Sequence, residues 1–406
     1  MSATAATLNL QATAAEQTML PASIVGFFFS FRLFIILLTV RVFQAEAQTG
    51  TALGLGLNYL LLLGVVFVSF GPAPTTLRST LRSPSFRWVL VFIGFSFCSL
   101  FWTAAVSVSA AFAFWTAMAA DTAIVVLLLR TAPEQRVAAS LMKGYISGAV
   151  AISAIAWILP AQSDLRLGDE ELLGPNQIGY VCAFAVFLAQ YLIAKGNRQW
   201  KFSAVFLAVT LLRTFSKTTI VAFLVGQIFL IVRDKAIGRR KKMYLAFGTC
   251  VVLATFWPLI SAYYEVYTNA GNQAETLTGR IGIWAFILDK ALDQPWIGHG
   301  FHSVWKVIPS FGPFEARHAH NEILQQFYAY GAAGIAMLIG LYGSFFRQMR
   351  RIPSGPMKTL SLGLLVFALI RGLADTEVFD VSLPLWMIAL LGITTMRTEF
   401  SREVTQ

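Results

Sequence analysis

Charge is what this sequence has least of. Asp, Glu, Lys and Arg make up only 13% of its 406 residues, against roughly 25% in soluble globular proteins. Hydrophobic residues reach 57%, and the mean hydropathy is +0.67. There is too little polar surface to cover several water-exposed cores, which excludes a string of soluble domains and leaves one membrane-embedded domain. Cysteine is almost as scarce. Cys98, Cys182 and Cys250 each fall inside or at the edge of an apolar stretch. No pair has metal-ligand spacing and no disulfide framework is visible, so they read as small packing residues. Lys and Arg are missing from the first twenty residues, so the basic start of a cleaved signal peptide is lacking. Residues 1–22 are expected to form a disordered cytoplasmic tail, with the first helix an uncleaved anchor.

Long apolar runs, by contrast, are plentiful. Crossing about 30 Å of hydrocarbon takes about 20 apolar residues as helix. Runs near 23–42, 51–70, 86–104, 109–129, 141–160, 176–194, 200–213, 217–232, 243–263, 320–345, 357–373 and 382–396 have this character. They are continuous, which selects helices over the alternating strands of a barrel. The expected fold is all-α: a polytopic membrane protein of about twelve transmembrane helices, forming a single domain over 23–396, with 397–406 as a short tail. No repeat divides the chain into matching halves.

The net charge of +11 comes from basic residues in short runs between the apolar segments. Alternate connections hold Arg78, Arg82 and Arg87; Arg130, Arg136 and Lys143; Lys195, Arg198 and Lys201; Arg233, Lys235 and Arg239 to Lys242; Arg347, Arg350, Arg351 and Lys358; then Arg397 and Arg402. This is the positive-inside pattern, and it places both termini in the cytoplasm. It also excludes a nucleic-acid partner, which would need a contiguous basic face. The opposite connections are acidic, as in Asp164, Asp169, Glu170 and Glu171.

Two features stand out on the outer side. Tyr264 to Arg317 is a long polar connection, of a length that is functional or disordered in compact proteins. Within it, residues 280–292 have apolar groups near helical spacing, which suits an amphipathic helix on the membrane surface. The second feature is Lys201 to Arg233, which must cross twice with legs of only about 14 residues, or about 21 Å of helix. The turn from Leu212 to Thr218 therefore lies below the outer surface, and it carries Arg213 and Lys217. Charge at membrane depth marks a functional site unless it is paired with an acidic neighbour.

All four histidines, His299, His302, His318 and His320, lie within 22 residues on that same side. His320 sits where the polar connection gives way to an apolar run, followed by Asn321, a candidate helix cap, and Glu322 in the first turn. A helix N-terminus and nearby cations disfavour imidazolium, which leaves the ring free to act as a general base. The rival reading is zinc, with His318, His320 and one of the other two as ligands. His-x-His is a weak signal, and the surrounding cations oppose it. Arg280, at the start of the surface helix, suits two-pronged contact with phosphate oxygens. With Lys217 and Arg213 it makes a cationic clamp beside a base, at a depth that points to a lipid-linked phosphate. Asp375 and Glu377 either orient a base or bind sugar hydroxyls, or they pair with Arg371. Asp121, inside the fourth helix, is the one residue that leans toward transport.

These residues carry a resemblance. His320-Asn321, nine residues, then Gly331-Ala-Ala-Gly334 resembles the His-Asn…Gly-x-x-Gly stretch of the O-antigen ligase and polysaccharide polymerase superfamily. Thr278-Gly279-Arg280-x-x-x-Trp284, Pro295-Trp-Ile-Gly298-His-Gly300-Phe, Gly174-Pro175-Asn176-Gln177 and the Ser216-Lys217 turn are similar to its other motifs. The likeness covers roughly residues 170–395 and is closest to exopolysaccharide polymerases; the first five helices match only in hydropathy.

The resemblance implies a GT-C-like fold, a periplasmic loop over 264–319 and a place in the bacterial inner membrane. It implies an inverting glycosyltransferase that works without metal or cofactor. The donor would be an undecaprenyl-diphosphate-linked oligosaccharide, and the acceptor a glycan or lipid A-core hydroxyl, among membrane lipids and other polysaccharide-assembly proteins. His320 would be the base and Arg280 a diphosphate ligand, with Asn321, Glu322, His318 and Asp375 in support. Lys217 stands where the family usually has Arg, and it cannot make the planar contact; Arg213 would compensate. A lipid-linked glycan flippase or transporter is the alternative, although such proteins usually show paired halves.

Overall fold

The structure is a computed structural model that describes residues 19–44, 46–70, 80–159, 166–168, 173–233, 238–255, 261, 265, 277–305, 307–308, 318–376 and 381–403. The sequence readings for the tail before residue 19, for the acidic connection at 164 and 169–171, and for Arg317 and Glu377 lie outside these residues.

Among the described residues the secondary structure is helical, with no β-strand. The helices are α1 (Leu20–Arg41), α2 (Ala47–Val68), α3 (Pro84–Ser99), α4 (Val108–Thr131), α5 (Glu134–Ile158), α6 (Pro175–Ala194) and α7 (Trp200–Arg213). They continue as α8 (Lys217–Arg233), α9 (Arg239–Thr255), α10 (Leu277–Ala291), α11 (Glu322–Arg351), α12 (Pro356–Gly372) and α13 (Leu385–Glu403). A helix lies over each apolar run of the sequence, and α10 occupies the polar connection. Six of them, α1, α2, α4, α5, α6 and α11, are long and apolar enough to cross a membrane. The chain is an integral, polytopic helical membrane protein.

Two boundaries differ from expectation. Helix α5 begins at Glu134, ahead of the apolar run, because its first turn is polar and invisible to hydropathy. Helix α13 runs on to Glu403, so most of the expected tail 397–406 is helical. No Gly or Pro interrupts that stretch.

Packing in the bundle relies on small residues that let backbones touch. A Cβ on Gly26 would lie 2.0 Å from Leu141 O, and one on Gly144 would lie 1.9 Å from Ser23 O. This locks α1 against α5 by close approach, the main source of helix association in lipid. Among the six candidate spans, helix α6 is the most enclosed, with Phe184 and Phe187 fully buried. Asp121 accepts from Arg32 at 2.5 Å and from Asn58 at 3.0 Å. The one acid that hinted at transport is thus neutralised within the bundle.

The feature that positions the site is a break in α11. Gly331 has φ 61°, in the left-handed region that favours glycine. The interrupted ladder is repaired by the segment 295–300. Tyr328 O and Ala329 O accept from His299 N at 3.0 Å and Gly300 N at 2.8 Å. On the other side of the break, Ala332 N donates to Pro295 O at 2.7 Å, and Ala333 N to Trp296 O at 3.1 Å. A Cβ on Gly331 would meet Trp296 C at 2.4 Å, and one on Gly298 would meet Tyr330 N at 2.4 Å. The two glycine motifs of the sequence are therefore two halves of one lock. The same segment is tied to the α3–α4 connection through His299 O and Ala104 N at 2.7 Å, and through Thr103 Oγ1 and Phe301 O at 2.6 Å. Below it, Ile283, Ile287 and Ala291 of α10 pack with Val304, Ile308, Ala319 and Tyr328 in a small second core.

Candidate active site

Four helix ends converge on His320: the starts of α8, α10 and α11 and the end of α12. Asn321 is extended and caps α11, its Oδ1 accepting from Leu324 N at 3.0 Å. Its Nδ2 donates to Leu373 O at 2.8 Å, which ties the start of α11 to the end of α12. His320, one residue outside the helix, has φ 50°. A non-glycine residue held in this region costs on the order of 1–3 kcal/mol, and such strain gathers at functional sites.

The His320 ring is buried, and its Nδ1 lies 3.2 Å from Asp375 Oδ1. The other oxygen, Oδ2, accepts from Arg371 Nη2 at 3.0 Å. Burial pushes the Asp375 carboxyl up, but Arg371 and the hydrogen bond from His320 outweigh it and hold the group well below the usual carboxylate range. An ionised carboxylate only accepts, so Nδ1 carries a proton and Nε2 is the ring nitrogen that Asp375 does not engage. Arg371 is itself seated over the Tyr180 ring, 4.4 Å from the centroid, and Tyr180 Oη donates to Ser382 O at 3.0 Å.

Arg280 reaches the same place from α10. Its Nη1 donates to Thr218 Oγ1 at 2.9 Å and also to Ala374 O, the residue before Asp375. Its Nε is buried with no hydrogen-bond partner among the described residues, as is Nε1 of Trp284 one helical turn along. Buried donors left unspent are costly unless a ligand takes them.

The α7–α8 turn is buried at Thr214, Phe215 and Ser216, and Phe215 has φ 50°. Arg166 holds it, donating from Nε to Thr214 O at 3.2 Å and from Nη2 to Asn176 Oδ1 at 3.0 Å. Asn176 Oδ1 also accepts from Ser216 Oγ at 2.8 Å. The Gly-Pro-Asn-Gln and Ser-Lys motifs are thus joined through Asn176. Lys217 opens α8 directly beside Thr218, half-buried. Arg213, in the last turn of α7, lies over the Phe215 ring at 5.4 Å.

The histidines divide into two pairs. His318 lies beside His320, with ring centroids 4.1 Å apart and the rings tilted at 56°, and its Nδ1 accepts from His320 N at 3.3 Å. Burial first, and then His320, push His318 well below the ordinary histidine range. His299 instead stacks on Tyr328 at 4.3 Å, and His302 stacks on Phe114 at 5.1 Å. Glu322 faces inward, accepting from Tyr342 Oη at 2.7 Å and Ser382 N at 2.9 Å, so it latches α11 to the start of α13. Sequence reading missed the supporting roles of Arg166, Tyr180 and Thr218. Asn176 lay inside a quoted motif, and the four-residue spacing of Arg371 and Asp375 was a signal for their pair.

Ligand atoms of His318, His320 and Asp375 lie within 4.8 Å of one another, a spacing that could hold a metal ion. Yet Asp375 already accepts from Arg371 and His320, and a metal cation would have to displace both beside two guanidinium groups.

A helical membrane protein with a buried His–Asp–Arg cluster beside an arginine whose Nε is buried and unspent is the class these features define. Residues 202–339 match a family described as O-antigen ligase. Over 169 residues the chain is 28% identical to an O-antigen ligase of Pseudomonas aeruginosa, covering 42% of this chain and 39% of that protein. The chain thus matches about two-fifths of that relative's length. The resemblance to the O-antigen ligase superfamily holds over this stretch, which contains every motif from Ser216 to Gly334.

Proposed function

We propose that this protein is a membrane glycosyltransferase of the O-antigen ligase type. It moves a glycan from undecaprenyl diphosphate to an acceptor hydroxyl at the periplasmic face of the bacterial inner membrane. The observation that carries the reading is the meeting of His320, paired to Asp375, with Arg280, whose buried Nε has no protein acceptor among the described residues.

In the reaction we envisage, the diphosphate of the donor lies across Arg280, Lys217 and the N-termini of α8 and α10, where backbone dipoles favour anions. Arg213 flanks this clamp. The acceptor oxygen attacks the anomeric carbon from the face opposite the leaving group, and its proton passes to His320 Nε2. The carbon–oxygen bond to the diphosphate breaks, and the released charge is stabilised by the arginine and lysine cations in place of a metal. The configuration at the anomeric carbon inverts. Asp375, kept ionised by Arg371, fixes the His320 tautomer and stabilises the imidazolium that forms. Asn321, Glu322 and His318 keep the ring and the helix start in place.

The remaining finer points belong to the same reading: a GT-C-like bundle in one domain over 23–396, about twelve spans, both termini cytoplasmic and a periplasmic loop over 264–319. The acceptor is a second lipid-linked glycan in a polymerase or a lipid A-core sugar in a ligase, and the motifs lean toward the polymerase. Deleting the gene and following lipid-linked repeats, surface polymer and lipopolysaccharide together tests this. Accumulated single repeats indicate a polymerase and unattached polymer a ligase. Normal transfer with glycan trapped on the cytoplasmic side would overturn the reading in favour of a flippase.

A further inference from the structure

The far end of α11 from His320 holds a second basic site that the transfer reaction does not use. Thirty residues at about 1.5 Å each give a path of roughly 45 Å along the helix between its two ends. There, α3, α11 and α13 enclose a cavity of about 220 Å³, lined by Pro84, Trp88, Arg347, Arg351 and Met396 among others. An adjoining hollow of about 260 Å³ shares Pro84 and Trp88 and adds Arg87 and Val91. Among the described residues, neither lining contains an acidic one.

The walls are built and fixed. Gln348 Oε1 accepts from Ser83 Oγ at 3.1 Å and Ser85 Oγ at 2.7 Å, and its Nε2 donates to Gly392 O at 2.6 Å, which fastens the three helices together. Gly340 leaves room for the Trp88 ring, which a Cβ there would meet at 2.4 Å. The cations are not committed in the same way. Arg347 spends Nε on Gly343 O of its own helix. The guanidinium groups of Arg351 and Arg87 form no ion pair or hydrogen bond among the described residues. Arg347 and Arg351 stand one turn apart on one face, a spacing that lets two forks close on one phosphate.

We infer that this pocket binds a phosphate-bearing ligand, either the headgroup of an anionic phospholipid or a soluble phosphate. The apolar wall favours the lipid. Val91, 48% exposed, and Leu90, 40% exposed, continue from Trp88 along α3, so acyl chains could run down this face while the phosphate sits between the arginines.

The test uses the full-length protein purified in a neutral detergent, with thermal unfolding followed as lipid is added. Phosphatidylglycerol should raise the midpoint by several degrees, phosphatidylcholine at the same level should not, and R347Q/R351Q should lose most of the rise. Arg350, which lies over Phe346, supplies the control: R350Q should respond like the unaltered protein. If the double variant does not fold, R351Q alone, at an exposed position, takes its place. A rise given by inorganic phosphate and lost in the same variant assigns the site to a soluble ligand. Equal stabilisation by phosphatidylcholine, or a rise retained in R347Q/R351Q, overturns the proposal.

Discussion

His320 Nδ1 and Asp375 Oδ1 lie 3.2 Å apart, with the second Asp375 oxygen held by Arg371 at 3.0 Å. These residues are 55 positions apart in sequence. The contact sets Nδ1 of a histidine at a helix start against a carboxylate, which in the proposed reaction leaves Nε2 as the proton acceptor. Asp375→Asn should leave the fold intact, yet lower kcat for glycan transfer by about 10²- to 10⁴-fold, the usual worth of a positioned base. KM for the donor should change little. A variant with near-normal kcat would mean that His320 needs no orienting partner.

Arg280 contributes geometry as well as charge. Arg280→Lys keeps the cation but loses the fork that reaches Thr218 and, in the proposed reaction, the donor diphosphate. A loss of about 1.5–3 kcal/mol for a charge-assisted contact corresponds to about a 10- to 150-fold drop in kcat/KM. Lys217→Arg should retain or raise activity, while Lys217→Gln should lower it. Steady-state rates with a lipid-linked donor measure all three, and a native rate from the Arg280→Lys variant would refute two-pronged phosphate binding.

The glycine lock should govern folding. Gly331→Ala puts a methyl 2.4 Å from Trp296 C on a backbone with φ 61°. Strain of about 1–3 kcal/mol or more is expected, read as a lower unfolding midpoint or reduced yield of folded protein. Gly343→Ala in the same helix meets nothing within 4 Å and should be neutral or slightly stabilising.

Stability should fall as pH drops from 7 toward 5. Burial holds His302 down to about 4, and it also lowers His318. Between those folded values and the unfolded value of about 6.5, the unfolded chain binds more protons, so stability rises with pH across this window and levels off above it. His302 alone accounts for at most about 3 kcal/mol over its range. His302→Phe should flatten the dependence without abolishing transfer, since its ring packs on Phe114 away from the His320 cluster. Thermal unfolding at several pH values checks this, and an unchanged slope would remove His302 from the account.

Much of this was legible in the chain, and the reasons are physical. Hydropathy is a local property, so every apolar run found its helix, while the polar first turn of α5 and the extension of α13 escaped it. His320, Arg280 and the Ser216-Lys217 turn were visible because charge and imidazole are rare in so apolar a sequence. The sequence left open whether Asp375 faces a histidine or pairs with Arg371; it contacts His320 through one oxygen and Arg371 through the other. The break at Gly331 was not legible as a break. Gly-x-x-Gly inside an apolar helix resembles a packing motif until the segment 295–300 is seen to supply its missing hydrogen bonds. Arg166 gave no local signal, because its partners Thr214 and Asn176 come from separate elements.

The most direct test is transfer by purified protein from an undecaprenyl-diphosphate-linked oligosaccharide, comparing the native chain with His320→Ala and recording thermal unfolding beside it. Abolished transfer with an unfolding midpoint close to native is the predicted result. Transfer at the native rate from the folded His320→Ala protein would contradict the assignment of the base, and with it the proposed chemistry.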